Sequence, residues 1–261
     1  MLEHILPMVP THKVYVEPFV GGGSLFWAKE PSQVEVLNDL NGNISAFYRA
    51  CKNDFEPLAQ LVENTLHCER TYKTARSIYL DKSDRSDVER AWAVWVGGCM
   101  SFGGNLFTHF QITHNAADRS NPGRATSNRR KEFREYANRL DEVMILEKDA
   151  LKVLGKYSGE DVFAYCDPPY PGANQGHYKG YTQADFESLL ETLAAHKGKF
   201  LLSSYPNPAL DEFARRYGWH YREFDQRMGV KNGCRKTEML TWNYQLAKKP
   251  VARQAAFEFE I

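Results

Sequence analysis

Asp167-Pro168-Pro169-Tyr170 stands directly after the apolar run Val162–Cys166. Proline has no N–H to donate and a fixed φ, so two in succession hold a rigid, extended edge at the end of a strand. The Pro168 carbonyl and the Asp167 carboxylate then form a pair of acceptors aimed outward, and Tyr170 adds a flat apolar face. Such a set suits an exocyclic NH₂ on a planar base. That nitrogen is a poor nucleophile because its lone pair is delocalised into the ring; accepting both of its hydrogens draws it toward a pyramidal, nucleophilic shape. The plainer alternative is a proline-stiffened turn with a capping aspartate.

The other chemistry-bearing stretch is Glu17-Pro18-Phe19-Val20-Gly21-Gly22-Gly23-Ser24, after the β-branched and aromatic Val14-Tyr15-Val16. Three glycines allow a tight turn and close approach of backbone to a ligand. In an open α/β sheet that ligand lies at the carboxyl ends of the strands, over a helix N-terminus. The stretch is neither a GxGxxG fingerprint nor a P-loop, so an adenosine ligand without a pyrophosphate suits it better than a dinucleotide. Asp39, ending a second strand-like run at Val34–Leu37, is placed to accept hydrogen bonds from both ribose hydroxyls. His109 and His114 lack the acidic or cysteine partners of a metal site and read as surface or polyanion-contacting residues.

These motifs need strands that end side by side. Strand-then-helix alternation fills the first fifty residues and resumes at Met144, with strands predicted at Met144–Leu146, Val162–Cys166, Phe200–Ser203, Trp219–Phe224 and Met239–Tyr244. Helices are predicted between them, the clearest at Gln183–His196 with Thr182 as N-cap. Alternation of this kind predicts parallel strands with crossover helices. From residue 54 to 142 the spacing is helical instead, at Phe55–Leu66 and Val88–Val96. A glycine- and polar-rich stretch, Gly97–Asn128, follows, and then a basic amphipathic helix over Arg129–Val143. One α/β domain, residues 1–53 and 143–261, is thus split by a mostly helical insertion, residues 54–142.

The composition is that of a folded chain, 43% hydrophobic and 25% charged, which excludes general disorder. The start lacks a signal-peptide layout, and no apolar run is long enough to span a membrane. The five cysteines form no CxxC, which predicts a reducing interior with neither a zinc cluster nor a disulfide frame. The net charge of zero conceals a division: residues 119–139 and 213–236 each hold seven Lys/Arg against two acids, a net +5 apiece. A chain so divided can present a basic face to a polyanion while staying neutral overall.

The order VEPFVGGGS, LND, a long insertion and YCDPPY resembles the Dam-type DNA adenine-N6 methyltransferases of bacteria and phages, colinearly over nearly the whole chain. Glu147-Lys148-Asp149-Ala150 and Thr237–Tyr244 belong to the match. The resemblance implies a Rossmann-like class I methyltransferase fold with a mixed seven-stranded sheet ending in an antiparallel hairpin, and a target-recognition insertion. It implies S-adenosylmethionine as methyl donor, leaving as S-adenosylhomocysteine, and no metal. Pro18, Phe19, Val20, Gly21, Gly22, Gly23 and Ser24 would cradle the donor. Asp39 would hold its ribose, Leu40 would belong to the same donor-binding set, and Asp149 with Ala150 would border its adenine. Asp167, Pro168, Pro169 and Tyr170 would form the catalytic motif: Asp167 and Pro168 bind the target N6, Asp167 also nears the donor's methionine end, and Tyr170 stacks on the base. Arg119, Arg124, Arg129, Arg130, Lys131, Arg134, Lys231 and Arg235 would contact DNA, chiefly its phosphates, which position but do not specify.

The implied partners are double-stranded DNA and a cognate restriction endonuclease, acting on a monomer in the cytoplasm of a bacterium or phage-infected host, with no membrane. Two departures qualify the match. Relatives carry a short Gly-Gly-Lys segment before the helix matching Leu2–Val9. This sequence starts at Met1, which predicts weakened donor affinity unless the natural start lies upstream or another chain supplies the piece. Phe102-Gly103-Gly104-Asn105-Leu106-Phe107 stands where GATC-recognising relatives carry Arg-Tyr-Asn, so no target site follows. An RNA adenine-N6 methyltransferase and a non-catalytic nucleic-acid-binding protein are the alternatives.

Overall fold

Every residue of the run VFAYC at Val162–Cys166 is buried, and that of VYVE at Val14–Glu17 nearly so. Burial on both faces is the signature of central parallel strands covered by helices on either side. The computed structural model describes residues 1–81, 83–102, 106–112, 122–171, 180–227 and 235–246. Its strands are β1 (Val14–Glu17), β2 (Val34–Asn38), β3 (Met144–Leu146), β4 (Val162–Cys166), β5 (Lys199–Ser204), β6 (His220–Arg227) and β7 (Arg235–Trp242). The helices are α1 (Leu2–Ile5), α2 (Ser24–Ala28), α3 (Gly42–Asn53), α4 (Phe55–Glu63), α5 (Glu69–Leu80), α6 (Asp87–Met100), α7 (Pro122–Glu132), α8 (Glu135–Leu140), α9 (Ala150–Lys156), α10 (Gln183–Ala195) and α11 (Pro208–Tyr217).

The seven strands form one mixed sheet in the order β3-β2-β1-β4-β5-β7-β6. β1 pairs in parallel with β2 and with β4, β4 with β5, while β7 runs antiparallel to both β5 and β6. This is the architecture implied by the resemblance. The β6–β7 hairpin is longer than predicted, pairing from His220↔Trp242 out to Arg227↔Arg235. Its outer half is polar and carries no apolar run to betray it.

The chain divides into two compact units: Met1–Leu40 with the described residues from Lys148 onward, and Asn41–Glu147. The second takes in α3 and β3 as well as the segment 54–142. In the first, Phe186, Leu189, Leu190 and Leu193 of α10 and Leu210 of α11 pack on Phe200 and Leu202 of β5, all of them buried. α10 starts as predicted: Thr182 and Asp185 form a reciprocal capping box.

In the second unit, two expectations are corrected. The helix α6 runs to Met100, through Gly97-Gly98, rather than giving way to a loop at Gly97. A Cβ on Gly97 would lie 2.8 Å from the Phe107 ring, so this glycine is a packing device, at a helix cost of about 1 kcal/mol relative to Ala. The predicted helix over Arg129–Val143 is two helices, α7 and α8, and α7 begins earlier, at Pro122. At the break, buried Phe133 stacks on Phe55 with centroids 5.5 Å apart and meets Trp95 edge-on. No described helix is long and apolar enough to cross a membrane.

Candidate active site

From β1 the chain moves to β2 on one side; β4 lies on the other. The sheet order therefore reverses between β1 and β4, and ligands of open α/β sheets bind in the crevice outside the carboxyl ends of the strands at such a point. The glycine motif leaves the end of β1 and Asp167–Tyr170 leaves the end of β4. Two stretches separated by well over a hundred residues are thus delivered side by side, both within the first unit.

The glycine turn is built by backbone and by Asp39. Gly21 and Gly23 take positive φ, 47° and 66°, in the left-handed region that favours glycine. Gly23 N–H donates to the Val20 carbonyl at 2.7 Å, and Val20 N–H to the Asn38 carbonyl at 2.9 Å. Asp39 is buried beneath the turn, with Oδ2 accepting from Gly21 N–H at 2.9 Å. Gly22 is exposed, and a Cβ on it would meet no atom within 4 Å. Pro18 and Val20 are buried, Phe19 packs on the α10–α11 core, and Ser24 opens α2. At five residues α2 is too short for its dipole to matter; what the turn offers is backbone.

Leu40 is 70% exposed beside Asp39, an apolar surface left open at the end of β2. Asn38 ties a third segment in: its Nδ2 donates to the carbonyls of Pro18 and Lys148, each at 2.9 Å, and its Oδ1 accepts from Lys148 N–H at 2.9 Å. Asp149 follows as N-cap of α9, accepting from Lys152 N–H at 3.0 Å, with Ala150 buried behind it. The predicted donor-site residues are therefore gathered at one end of the sheet. Asn38 lies within the LND motif, but sequence reasoning gives it no role; its tie between Pro18 and Lys148 becomes visible only in the fold.

At the end of β4, Pro168 and Pro169 are buried and Asp167 remains solvent-accessible. Tyr170, 9% exposed, donates its hydroxyl to Asp167 Oδ1 at 2.9 Å. The same hydroxyl oxygen lies 2.8 Å from Ser203 Oγ, and the ring meets Tyr205 edge-on at 4.4 Å. Desolvation by the surrounding protein raises Asp167 to about 6; the Tyr170 and Ser203 hydroxyls pull it down, and Glu238 adds upward repulsion.

Beneath lies a second carboxyl. Glu17 is 2% exposed, and burial raises it to about 8, against the pull of a 2.9 Å bond from the Tyr15 hydroxyl. The Asp167 charge adds to that rise. Sequence reasoning does not single out Glu17, Ser203, Tyr205 or Glu238 as partners of the catalytic motif. Each becomes visible only when strand register brings it near. Among the described residues no group of three or more His, Cys, Asp or Glu is arranged to hold a metal ion.

Of the basic residues predicted to meet DNA, Lys131 is exposed on α7. Arg129 donates to the Gly98 carbonyl at 3.0 Å, and Arg134 pairs with Glu56 and Glu63 at 2.8 and 3.3 Å. Arg119 and Lys231 lie outside the described residues, as do the side chains of Arg124, Arg130 and Arg235. His109 is exposed; His114, Cys234 and Gly103–Asn105 are likewise outside. Phe107, just beyond, holds a left-handed φ of 55°. Packing against Tyr72 and Tyr79 and a 2.8 Å bond from its N–H to Ser101 Oγ hold it there.

Residues 1–227 match the family described as D12 class N6 adenine-specific DNA methyltransferase. The chain is 28% identical over 270 residues to the type II methyltransferase M1.LlaDCHI of Lactococcus lactis subsp. cremoris, covering 94% of this chain and 91% of that one. It is 25% identical over 264 residues to the type II methyltransferase M.MjaIII of Methanocaldococcus jannaschii, covering 89% of each. The DNA N-6-adenine-methyltransferase of Escherichia phage P1 is 25% identical over 254 residues, 88% of this chain and 31% of the phage protein.

Proposed function

The chain belongs to the D12 class N6 adenine-specific DNA methyltransferases, and on that premise we propose that it methylates N6 of an adenine flipped out of duplex DNA at a short specific site. The observation that supports this most is the convergence of the glycine turn and Asp167–Tyr170 at the strand-order reversal between β1 and β4. S-adenosylmethionine supplies an electrophilic methyl group. The residues present fit it: open space over Gly22, a carboxylate at the end of β2 and exposed Leu40 beside it. In this reading residues 18–24 cradle the donor and Asp39 takes its ribose hydroxyls. Leu40, Asp149 and Ala150 flank its adenine.

Flipping the target costs roughly a few kcal/mol, offset by contacts in the pocket and along the backbone. Asp167 and the Pro168 carbonyl accept the two N6 hydrogens and hold the nitrogen in line with the methyl group. Tyr170 gives the base a face while its hydroxyl stays on Asp167. Orientation and electrostatics are the main work of Asp167, because the positively charged N6 left by methylation is acidic enough to give its proton to water or to the carboxylate without a strong base. The segment 54–142 recognises the target, with Arg129, Lys131 and Arg134 nearest the phosphates. The enzyme acts as a monomer in the cytoplasm of a bacterium or infected host, alongside a cognate endonuclease, without a metal.

The test is transfer of a tritiated methyl group from S-adenosylmethionine to mixed duplex DNA, with structured RNA in parallel and Asp167→Ala as control. Label in DNA adenine that disappears in the control is the expected result. Label in RNA alone, or label that survives Asp167→Ala, overturns the reading.

A further inference from the structure

Resting on the reading of Asp167 as the acceptor for N6, we propose that Ser203 of β5 is a positioning residue for methyl transfer, holding the Asp167 carboxylate in its accepting orientation through the hydroxyl of Tyr170. The terminal torsion of an aspartate is broad, so a solvent-accessible carboxylate at the end of a strand does not hold one orientation by itself. Here it is held by a chain of hydroxyls. Tyr170 Oη donates its single proton to Asp167 Oδ1 at 2.9 Å. With Tyr170 donating to Asp167, the 2.8 Å contact takes its proton from Ser203, giving a chain that runs from Ser203 to Tyr170 to Asp167, and the Ser203 hydroxyl also bears on Asp167 directly.

Its far end is fixed by the sheet. Ser203 is 3% exposed and pairs with Leu240 of β7, while its neighbour Leu202 pairs with Cys166, the residue before Asp167. The orientation of Asp167 is thereby referred to two strands rather than to its own loop. Each donor in such a chain is polarised by the next, so loss of the Ser203 hydroxyl weakens the bond that Tyr170 makes to the carboxylate. Preorganisation of this kind acts on the rate of a positioned reaction more than on binding.

Among the described residues, the groups that interact with Asp167 are Tyr170 in its own motif, Tyr165 and Cys166 on β4, Ser203 on β5, Glu238 on β7 and Glu17 on β1. Burial and the Glu238 charge push the carboxyl up, and the hydroxyls of Tyr170 and Ser203 pull it down. Removing Ser203's hydroxyl leaves the upward push less opposed.

The experiment measures kcat, KM for S-adenosylmethionine and the pH profile of kcat for wild type, Ser203→Ala, Ser203→Thr and Asp167→Ala. Ser203→Ala should lower kcat about tenfold, the loss expected for one hydrogen bond coupled to a charge, and leave KM within about twofold. Its acid limb should move to higher pH, and Ser203→Thr, which keeps the hydroxyl, should restore both. In a Tyr170→Phe background Ser203→Ala should cost less than it does in wild type, because only the direct pull of Ser203 on Asp167 remains. Unchanged kcat and acid limb in Ser203→Ala, or equal impairment in Ala and Thr, overturns the proposal. Should Ser203→Ala not fold, Ser203→Thr and Ser203→Cys carry the test: a weaker thiol donor must lower kcat and raise the limb, and equal values for the two overturn it. If wild type labels no DNA, or Asp167→Ala stays active, the fault lies with the reading of the site instead.

Discussion

Gly22 and Gly23 are neighbours in one turn, yet alanine at each should act in opposite ways. Gly22 lies outside the positive-φ set, and its Cβ would meet nothing within 4 Å. Gly22→Ala therefore costs the fold nothing and should stabilise the donor-free protein by about 0.4–1 kcal/mol, through the unfolded chain. At about 2–4 °C per kcal/mol for a chain of this size, melting should rise by roughly 1–4 °C. If the open space is where the donor lies, the added methyl group intrudes on it. Overpacking costs about 1–3 kcal/mol, so binding should weaken about 5- to 150-fold. Gly23 holds a φ of 66° as N-cap of α2, so Gly23→Ala should destabilise by about 1–2 kcal/mol whether or not donor is present. Equilibrium dialysis with labelled S-adenosylmethionine and donor-free melting curves separate the two effects. Donor affinity within about twofold of wild type in Gly22→Ala would refute the assignment of the turn.

Glu17, an acid raised to about 8 by burial, favours the fold while protonated, and that contribution is lost as pH rises from its ordinary value through 8. Glu17→Gln should melt close to wild type at about pH 5 and above it at about pH 9; parallel curves would sink the argument. Asp39→Asn keeps an acceptor for Gly21 but loses the charge, and should weaken donor binding by about tenfold with DNA affinity unchanged, as two separate titrations would show. Lys131→Ala should weaken all DNA sequences alike and flatten the log–log salt dependence by about one unit. Arg134→Ala should flatten it less, because its charge is already shared with Glu56 and Glu63. A loss confined to one sequence would contradict the phosphate assignment.

What is legible from sequence is whatever the backbone itself constrains. β1, β2, β4 and β5 are apolar runs with helices between them, and a doubly covered parallel sheet has no other way to be written. Gly21–Gly23 and Pro168-Pro169 are recognisable because few residues tolerate left-handed φ or the loss of an N–H. The misreadings fall where tertiary contacts override local signals. Gly97-Gly98 reads as a break until Phe107 is seen pressed against it. The segment Arg129–Val143 reads as one amphipathic helix until Phe133 is buried near its start, where the helix breaks. The outer half of the β6–β7 hairpin is held by pairing, with no apolar face to announce it.

The same distinction separates the site's motif residues from those that hold them. Asp167 and the glycines announce a chemistry by type and order. Asn38 and Ser203 are ordinary polar residues at the ends of apolar strands, and their importance is relational. Asn38 holds Pro18 and also reaches Lys148 across 110 positions of sequence, and Ser203 reaches Tyr170 across 33. No spacing rule marks such residues, because the register of β1, β2, β4 and β5 chooses them. A strand slipped by one residue would turn Ser203 to the opposite face of the sheet and leave Asp167–Tyr170 unaltered in sequence but unsupported. The motif states which reaction is possible; the sheet's register decides whether its carboxylate is held in place to perform it.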